Sequence, residues 1–404
     1  MSTAGPVILK LPTAPRYQSL DVWRGVACLS VVVLHSTYYS PPDFHSLGID
    51  WVGALLIRLC GEMWVGVPMF FVISGYCISA TIDSCRRSST ASPSDYFSRR
   101  FRRIYPPYWV LLGITLVFEY VCERFIWPGL IVDGHTPSFG METRSAWQWF
   151  GTVTLTELWR ENIIGGQSNL YMAHAWTLCY EEQFYLVCGL ILMLAPNRFF
   201  NLTFLISLLV IPAAAISYKA GIRGFFFDGQ WLSFYAGILV YYYLNFATWK
   251  LKRCIEVALT LGIIVFWCDP ANNWHRGSRT QQTIVALAFA LALIWGHRWD
   301  AAIANSKTTS FLQSCGKMCY SVYLVHWPVS KPISHALYLC GLKSHFMTLL
   351  VTIPVCLVAS ILVGRVFHLH IEQRFLKKRR NPERSQKETG NLKFNVPHEI
   401  LRAA

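Results

Sequence analysis

The chain alternates between long apolar runs and short polar connectors, most of them basic. A helix that crosses a bilayer needs about 20 apolar residues. Ten stretches approach that length: 20–39, 55–80, 104–127, 170–195, 199–218, 230–247, 254–268, 283–296, 311–329 and 345–367. The seventh and eighth are the shortest, and Gly61, Gly66 and Pro68 interrupt the second. Between the third and fourth lies a long polar-aromatic stretch, Pro128 to Asn169, that reads as a loop without a span. The pattern predicts an all-α, polytopic transmembrane helix bundle of about ten spans. Residues 1–16 form a short N-terminal tail, 17–376 the membrane domain, and 377–404 a charged, polar tail too poor in apolar residues to bury a core.

Composition agrees with this class. Hydrophobic residues make up 53% of the chain and charged residues 14%, where a soluble domain carries about a quarter. Sixteen Trp and 15% aromatics suit a chain that meets many lipid–water boundaries. The net charge of +14 raises nucleic acid as a partner. The basic residues, however, fall in clusters between apolar runs rather than in one patch. The expected partner is therefore the lipid bilayer, with no nucleic acid and no protein partner required.

Lys and Arg accumulate in cytoplasmic connectors. With the N-terminus placed in the cytoplasm, Arg86, Arg87, Arg99, Arg100, Arg102 and Arg103 fall inside, as do Lys250, Lys252, Arg253, Arg298 and Lys307. The tail with Lys377, Lys378, Arg379 and Arg380 then ends inside as well. The opposite connectors are poorer: residues 40–51 hold no Lys or Arg, and 128–169 hold only Arg144 and Arg160. Both termini are thus expected in the cytoplasm. The first run lacks a small-residue cleavage site and is not read as a signal peptide. Most of the thirteen Cys lie inside apolar runs and no CxxC pair occurs. They are read as small apolar fillers. Cys315 and Cys319 are spaced for one helical face without the companions that a zinc site needs, so no metal is expected.

Ionisable groups inside a span are costly, and each is a candidate for function. The first span carries Asp21, Arg24 and His35. Arg24 and His35 lie almost three turns apart on one face, roughly 16 Å along the axis. A snorkelling anchor also explains Arg24, and a packing hydrogen bond also explains His35. Arg99, Arg100, Arg102 and Arg103 open the third span just before Pro106 and Pro107. Arg99, Arg102 and Arg103 share a helical face. They serve either as a positive-inside anchor or as a clamp on phosphate, whose oxygens guanidinium groups bind in pairs. The fourth span holds His174, Trp176, Glu181 and Glu182. The two adjacent acids point about 100° apart and need different partners. Ser321, Tyr323 and His326 lie in the ninth span, Tyr323 and His326 on one face, and the last run closes with His368, His370 and Glu372. Together these groups imply a polar cavity, which an enzyme and a proton-coupled transporter share. A transporter would be expected to show repeated halves, and none is visible.

These segments resemble the acyltransferase-3 family of membrane O-acyltransferases. Leu20-Asp21-Val22-Trp23-Arg24-Gly25-Val26-Ala27, followed by His35, is similar to the family's opening L-D-x-x-R-G-x-A with its Arg and His. Phe70-Phe71-Val72-Ile73-Ser74-Gly75-Tyr76 resembles F-F-V-x-S-G-[FY], and Arg99–Pro107 resembles the R-x-x-R-I-x-P block. Trp176–Tyr185 is similar to W-[ST]-L-x-x-E-x-x-F-Y, Gly316–Pro328 to a looser G-x-x-S block ending in H-x-P, and Ile371-Glu372 to the closing Glu. The blocks run in family order across residues 17–376.

The resemblance implies a ten-span core with both ends cytoplasmic. It implies transfer of an acyl group, most often acetyl, from cytoplasmic acyl-CoA to a hydroxyl of a carbohydrate or glycolipid, as in cell-surface polysaccharide modification at a bacterial plasma membrane. Acylation of a lipid or small secondary metabolite, or non-enzymatic transport, are the alternatives. The motif residues carried over are Arg24, His35, Arg100, Arg103, Glu181 or Glu182, Ser321, Tyr323 and His326. The expectation is that Arg24, Arg99, Arg100, Arg102 and Arg103 hold the phosphates of acyl-CoA, a co-substrate rather than a bound cofactor. His35 is the expected general base, with Glu181 or Glu182 orienting it or sharing its charge. Asp21, Trp176, Ser321, Tyr323 and His326 are expected at the acceptor or directly behind the catalytic groups. Tyr180 stands where the family more often has a small or aliphatic residue, and no SGNH-type esterase domain follows the core in this sequence.

Overall fold

The computed structural model describes residues 17–40, 51–87, 92–131, 144–158, 170–220, 224–268 and 278–376, the side chains of 215 and 217–220 excepted. The expected tails at 1–16 and 377–404 lie outside the described residues. Every regular element among the described residues is helical. In chain order these are α1 (Leu20–Ser36), α2 (Trp51–Gly61), α3 (Gly66–Arg87), α4 (Pro93–Val121), α5 (Ala146–Thr154), α6 (Trp176–Leu194) and α7 (Phe199–Ala220). Then follow α8 (Gln230–Asn245), α9 (Trp249–Trp267), α10 (Arg279–Gly296), α11 (Asp300–Asn305), α12 (Ser310–Lys317) and α13 (Cys319–Leu339). The continuous helical run His345–Leu376 is α14. Among the described residues, five helical runs are long and apolar enough to cross a membrane: Trp51–Arg87, Ala173–Leu194, Pro196–Ala214, Arg279–Asn305 and His345–Leu376.

Several elements depart from the hydropathy reading for local reasons. α4 starts at Pro93, not at Ile104. Ser92 caps it, with Ser92 and Asp95 forming a reciprocal capping box and Pro93 at the first helical position. Arg99, Arg100, Arg102 and Arg103 therefore lie inside a formed helix rather than at its mouth. The helix passes through Pro106 and Pro107, and the Tyr320 hydroxyl donates to the Ile104 carbonyl beside them (2.7 Å). The ninth apolar run is two helices, because α12 ends at Lys317 and α13 starts at Cys319. Cys315 and Cys319 thus do not share a helical face.

The stretch 128–169 is more than a loop. Within it α5 is capped by Ser145 and Gln148, and it ends at Leu155 in a left-handed conformation. The last carbonyls of a helix have no partner within it. Here side chains from the middle of α4 supply donors: Tyr108 to the Thr152 carbonyl (2.7 Å), Trp109 to Val153 (2.8 Å) and Tyr105 to Thr154 (3.2 Å). Trp147, Phe150 and Val153 of α5 face outward as exposed apolar groups. α5 therefore folds back along α4 instead of standing free of the bundle.

Two close helix contacts hold the core. A Cβ on Gly25 would lie 2.1 Å from the Leu312 carbonyl oxygen, and one on Gly316 would lie 1.6 Å from that of Asp21. α1 and α12 thus touch backbone to backbone. Gly75 and Gly237 do the same for α3 and α8, where an added Cβ would sit 1.9 Å from the Phe234 or Val72 carbonyl oxygen. Small residues permit such approach where membrane helices pack. Away from this core, α7, α8, α9 and α10 enclose an apolar groove of about 1340 Å³ that reaches the Asp228–Arg279 ion pair (2.6 Å).

Candidate active site

α1, α3, α4, α6 and α13 converge on a cavity of about 90 Å³. Its polar lining comprises Arg24, Ser74, Cys77, Arg100, Arg103, Thr177, Glu181, Tyr185 and Tyr323. α1 begins, α3 ends and α4 begins at this end of the bundle, so Arg24, Cys77 and Arg100 meet although 76 positions separate the first from the last. Three guanidinium groups and one carboxylate face the space.

Most of these groups are held. Arg24 donates to Asp21 (2.7 Å) and to Cys77 Sγ (2.9 Å). Arg100 donates to Thr81 (3.2 Å) and lies over the Tyr185 ring, 5.0 Å from its centre. Glu181 accepts from Ser74 (3.0 Å) and from the Tyr185 hydroxyl. Arg103 is different: among the described residues it makes no hydrogen bond, although it shares the cavity wall with Arg24, Glu181 and Tyr185. Glu182, a third of a turn further along α6, lies beside Tyr105 and Arg100, with Oε1 buried and unpartnered.

Tyr323 connects the cavity to a cluster of imidazoles. Its hydroxyl donates to the His174 carbonyl (2.7 Å) and contacts Thr177 Oγ1. Behind it the His174 and His326 rings lie 5.0 Å apart between centres, and His326 and His35 lie 5.2 Å apart. The Trp327 ring edge closes on His35 at 4.7 Å. His326 Nδ1 lies against the Tyr323 carbonyl. A carbonyl only accepts, so Nδ1 carries the proton and Nε2 keeps its lone pair. That Nε2 and both ring nitrogens of His174 are buried without a hydrogen-bond partner. Among the described residues no three ligand-type side chains converge as metal ligands would.

The structure sorts the sequence candidates. Arg24, Arg100, Arg103, Glu181 and Tyr323 meet at the cavity, with Asp21 behind Arg24. Arg99 and Arg102 turn outward, each donating to its own helix backbone at Asp95 and Ser98 (3.0 and 3.2 Å). The shared face of Arg99, Arg102 and Arg103 is therefore not the face that meets the cavity. That face carries Arg100 and Arg103, one turn apart. His35 keeps company with His326 and Trp327, whereas Glu181 is engaged by Ser74 and Tyr185 and Glu182 faces Tyr105. The expected pairing of His35 with a glutamate is thus replaced by a pairing with His326. Trp176 packs between Phe71 and Tyr180 in the apolar core. Ser321 donates to Glu372, which also holds His368 (2.7 Å), and so ties α13 to α14. The site also includes Ser74, Cys77, Thr177 and Tyr185, which hydropathy could not select, and it recruits His174.

The acyltransferase-3 model, an acyltransferase domain, matches residues 17–366. The chain belongs to the acyltransferase-3 family. Among curated members it is similar to the O-acetyltransferase OatA of Staphylococcus aureus, 23% identical over 340 residues, which cover 78% of this chain and 51% of the relative. It is also similar to the putative peptidoglycan O-acetyltransferase YrhL of Bacillus subtilis, 29% identical over 204 residues, or 49% of this chain and 27% of the relative. A third match is the peptidoglycan O-acetyltransferase OatA of Listeria monocytogenes, 25% identical over 170 residues, or 42% of this chain and 23% of the relative. The chain spans about half the length of the first of these acyltransferase-3 relatives. No solved structure matches. Family membership and the apolar helices agree in making this a membrane protein.

Proposed function

We propose that this chain transfers an acyl group, expected to be acetyl, from acyl-CoA to a hydroxyl of a cell-envelope carbohydrate or glycolipid. Support for the acceptor comes from the peptidoglycan O-acetyltransferase relatives. The single observation that carries the donor is Arg103, a cavity-lining guanidinium without a hydrogen-bonding partner, next to Arg24 and Arg100. Its nearest carboxylate, Glu181, is already engaged by Ser74 and Tyr185, and a cation without hydrogen bonds in a low-dielectric space is costly unless an anion arrives. Phosphate oxygens suit the guanidinium fork. The cavity holds only a few waters at its present size, so entry of the donor requires its lining side chains to part.

In this reading Arg103 and Arg100 hold donor phosphates, with Arg24 fixed by Asp21 beside them. His35 removes the acceptor hydroxyl proton through the lone pair of its neutral imidazole. The acceptor oxygen attacks the thioester carbonyl, the C–S bond breaks, and the sulfur takes up a proton. The basic connectors at the cavity end of the bundle suit a cytoplasmic donor, with the acceptor approaching His35 from the opposite side; this orientation and a ten-span topology are part of the proposal.

The test uses the purified protein in liposomes with radiolabelled acetyl-CoA and a panel of muropeptides and chitooligosaccharides. Label is expected on a carbohydrate hydroxyl. Absence of label from every acceptor, with acetyl-CoA intact, would overturn the reading.

A further inference from the structure

The reaction proposed above moves a proton from the acceptor hydroxyl to the departing sulfur, with none gained or lost overall. The two positions are not adjacent in this structure. His35 lies beyond Tyr323 from the cavity, near the exposed Tyr38 and in edge contact with Trp327. The cavity with its arginines is on the other side of Tyr323. The only titratable side chains whose rings bridge His35 to Tyr323 among the described residues are His326 and His174.

We propose that His326 and His174 are positioning residues that carry the acceptor proton between His35 and the cavity. Three observations support this, and it rests on the acyl-transfer reading. The first is continuity: ring centres step 5.2 Å from His35 to His326, 5.0 Å on to His174, and 5.6 Å from His174 to Tyr323 at the cavity wall. The second is satisfaction. A buried polar atom is almost always hydrogen-bonded, and exceptions in native proteins call for an explanation. Here three such nitrogens, one on His326 and two on His174, lack a hydrogen bond of ordinary geometry in one cluster, the Leu324 backbone being only a marginal neighbour of His174, with both residues almost fully buried. The third is the tautomer. The Tyr323 carbonyl holds the Nδ1 proton of His326 and so leaves Nε2 as the basic atom. A packing histidine needs neither bare nitrogens nor imidazole neighbours.

The steps balance without any further reactant. As the acceptor oxygen bonds to the acyl carbon, its proton passes to His35. His35 gives a proton to His326 Nε2, and His326 returns it at the same atom to His174, each hop passing through a bridging water because no two of these nitrogens are within direct hydrogen-bond distance. His174 releases it toward the cavity, where the sulfur that has left the acyl carbon accepts it. Each imidazole returns to its neutral state, so at most one positive charge occupies the cluster at a time.

The experiment measures acetyl transfer from acetyl-CoA to a muropeptide acceptor by the native protein in liposomes, in mixtures of light and heavy water. Several protons moving in the slow step give a curved dependence of rate on deuterium fraction, and a single transfer to His35 gives a straight line. His326→Asn keeps a donor for the Tyr323 carbonyl but removes Nε2, and His174→Phe keeps a ring without nitrogens. Each is expected to lower turnover by about 100-fold, to leave acetyl-CoA binding unchanged, and to regain activity with added imidazole. A straight line, or native turnover in folded variants, would overturn the relay while leaving acyl transfer standing. No transfer by the native protein to any acceptor would overturn both.

Discussion

The two ends of the site are built on opposite rules. At the cavity, Arg24, Arg100 and Glu181 are each fixed by hydrogen bonds to neighbours on other turns or other helices, and Arg103 alone is left open. At the histidine cluster, polar atoms are buried and left without partners. A buried unsatisfied group costs about 1–3 kcal/mol, so both arrangements carry a cost, confined to Arg103 at the cavity and spread over the imidazole nitrogens at the other end. On the proposed reading the first end binds and the second reacts. Binding gains from groups already held in place. Proton transfer gains from lone pairs that no static partner occupies.

Substitutions should separate the two ends. The largest effect is expected for His35→Ala: acyl transfer falls by roughly 10²–10⁴-fold, while acetyl-CoA binding, read by equilibrium dialysis, stays native. Loss of binding together with turnover would dissolve the distinction. Next comes Arg103→Ala, which should weaken acetyl-CoA binding about 10–100-fold, the worth of a charge-assisted hydrogen bond, and change kcat little. A variant with native affinity would move the donor site elsewhere. Gly316→Ala should harm both ends together, because its methyl group must push α12 off the Asp21 carbonyl behind Arg24. About 1–3 kcal/mol of stability is at stake, visible as a lower thermal midpoint in detergent. The smallest effect is expected for Arg99→Ala and Arg102→Ala, whose guanidinium groups face away from the cavity. Acetyl-CoA affinity should be unchanged, and a loss comparable to that of Arg103→Ala would show that the cavity face has been drawn wrongly.

Much of the helical architecture was legible because apolar run length reports burial in lipid directly. α1, α7, α8 and α10 lie close to where hydropathy puts them. α4 was legible only in part. Its first turns are polar and invisible to hydropathy, although Ser92, Pro93 and Asp95 spell a helix start. The α12–α13 break and the course of α5 depend on tertiary partners, the Asp21 carbonyl for one and Tyr105, Tyr108 and Trp109 for the other. At the site, polar groups inside apolar runs singled out Arg24, His35 and Tyr323, the family resemblance added Arg100 and Arg103, and chain spacing grouped Arg99, Arg102 and Arg103. They could not tell which of four clustered arginines face inward, since a one-residue step turns a helical side chain by about 100°. Nor could they pair His35 with His326, 291 positions away.

The aromatic donors that complete α5 also constrain how the chain is made. A segment of nine residues cannot be handed to the bilayer as an independent span, and its terminal carbonyls would be bare in hydrocarbon without α4. α5 therefore depends on α4 for the donors that complete its last turn. The helix α6 follows it in the chain, and Glu182 of α6 lies against Tyr105, the residue that receives the tip of α5. The segment thus joins the bundle only in company with α4, and through Tyr105 its place is tied to that of Glu182.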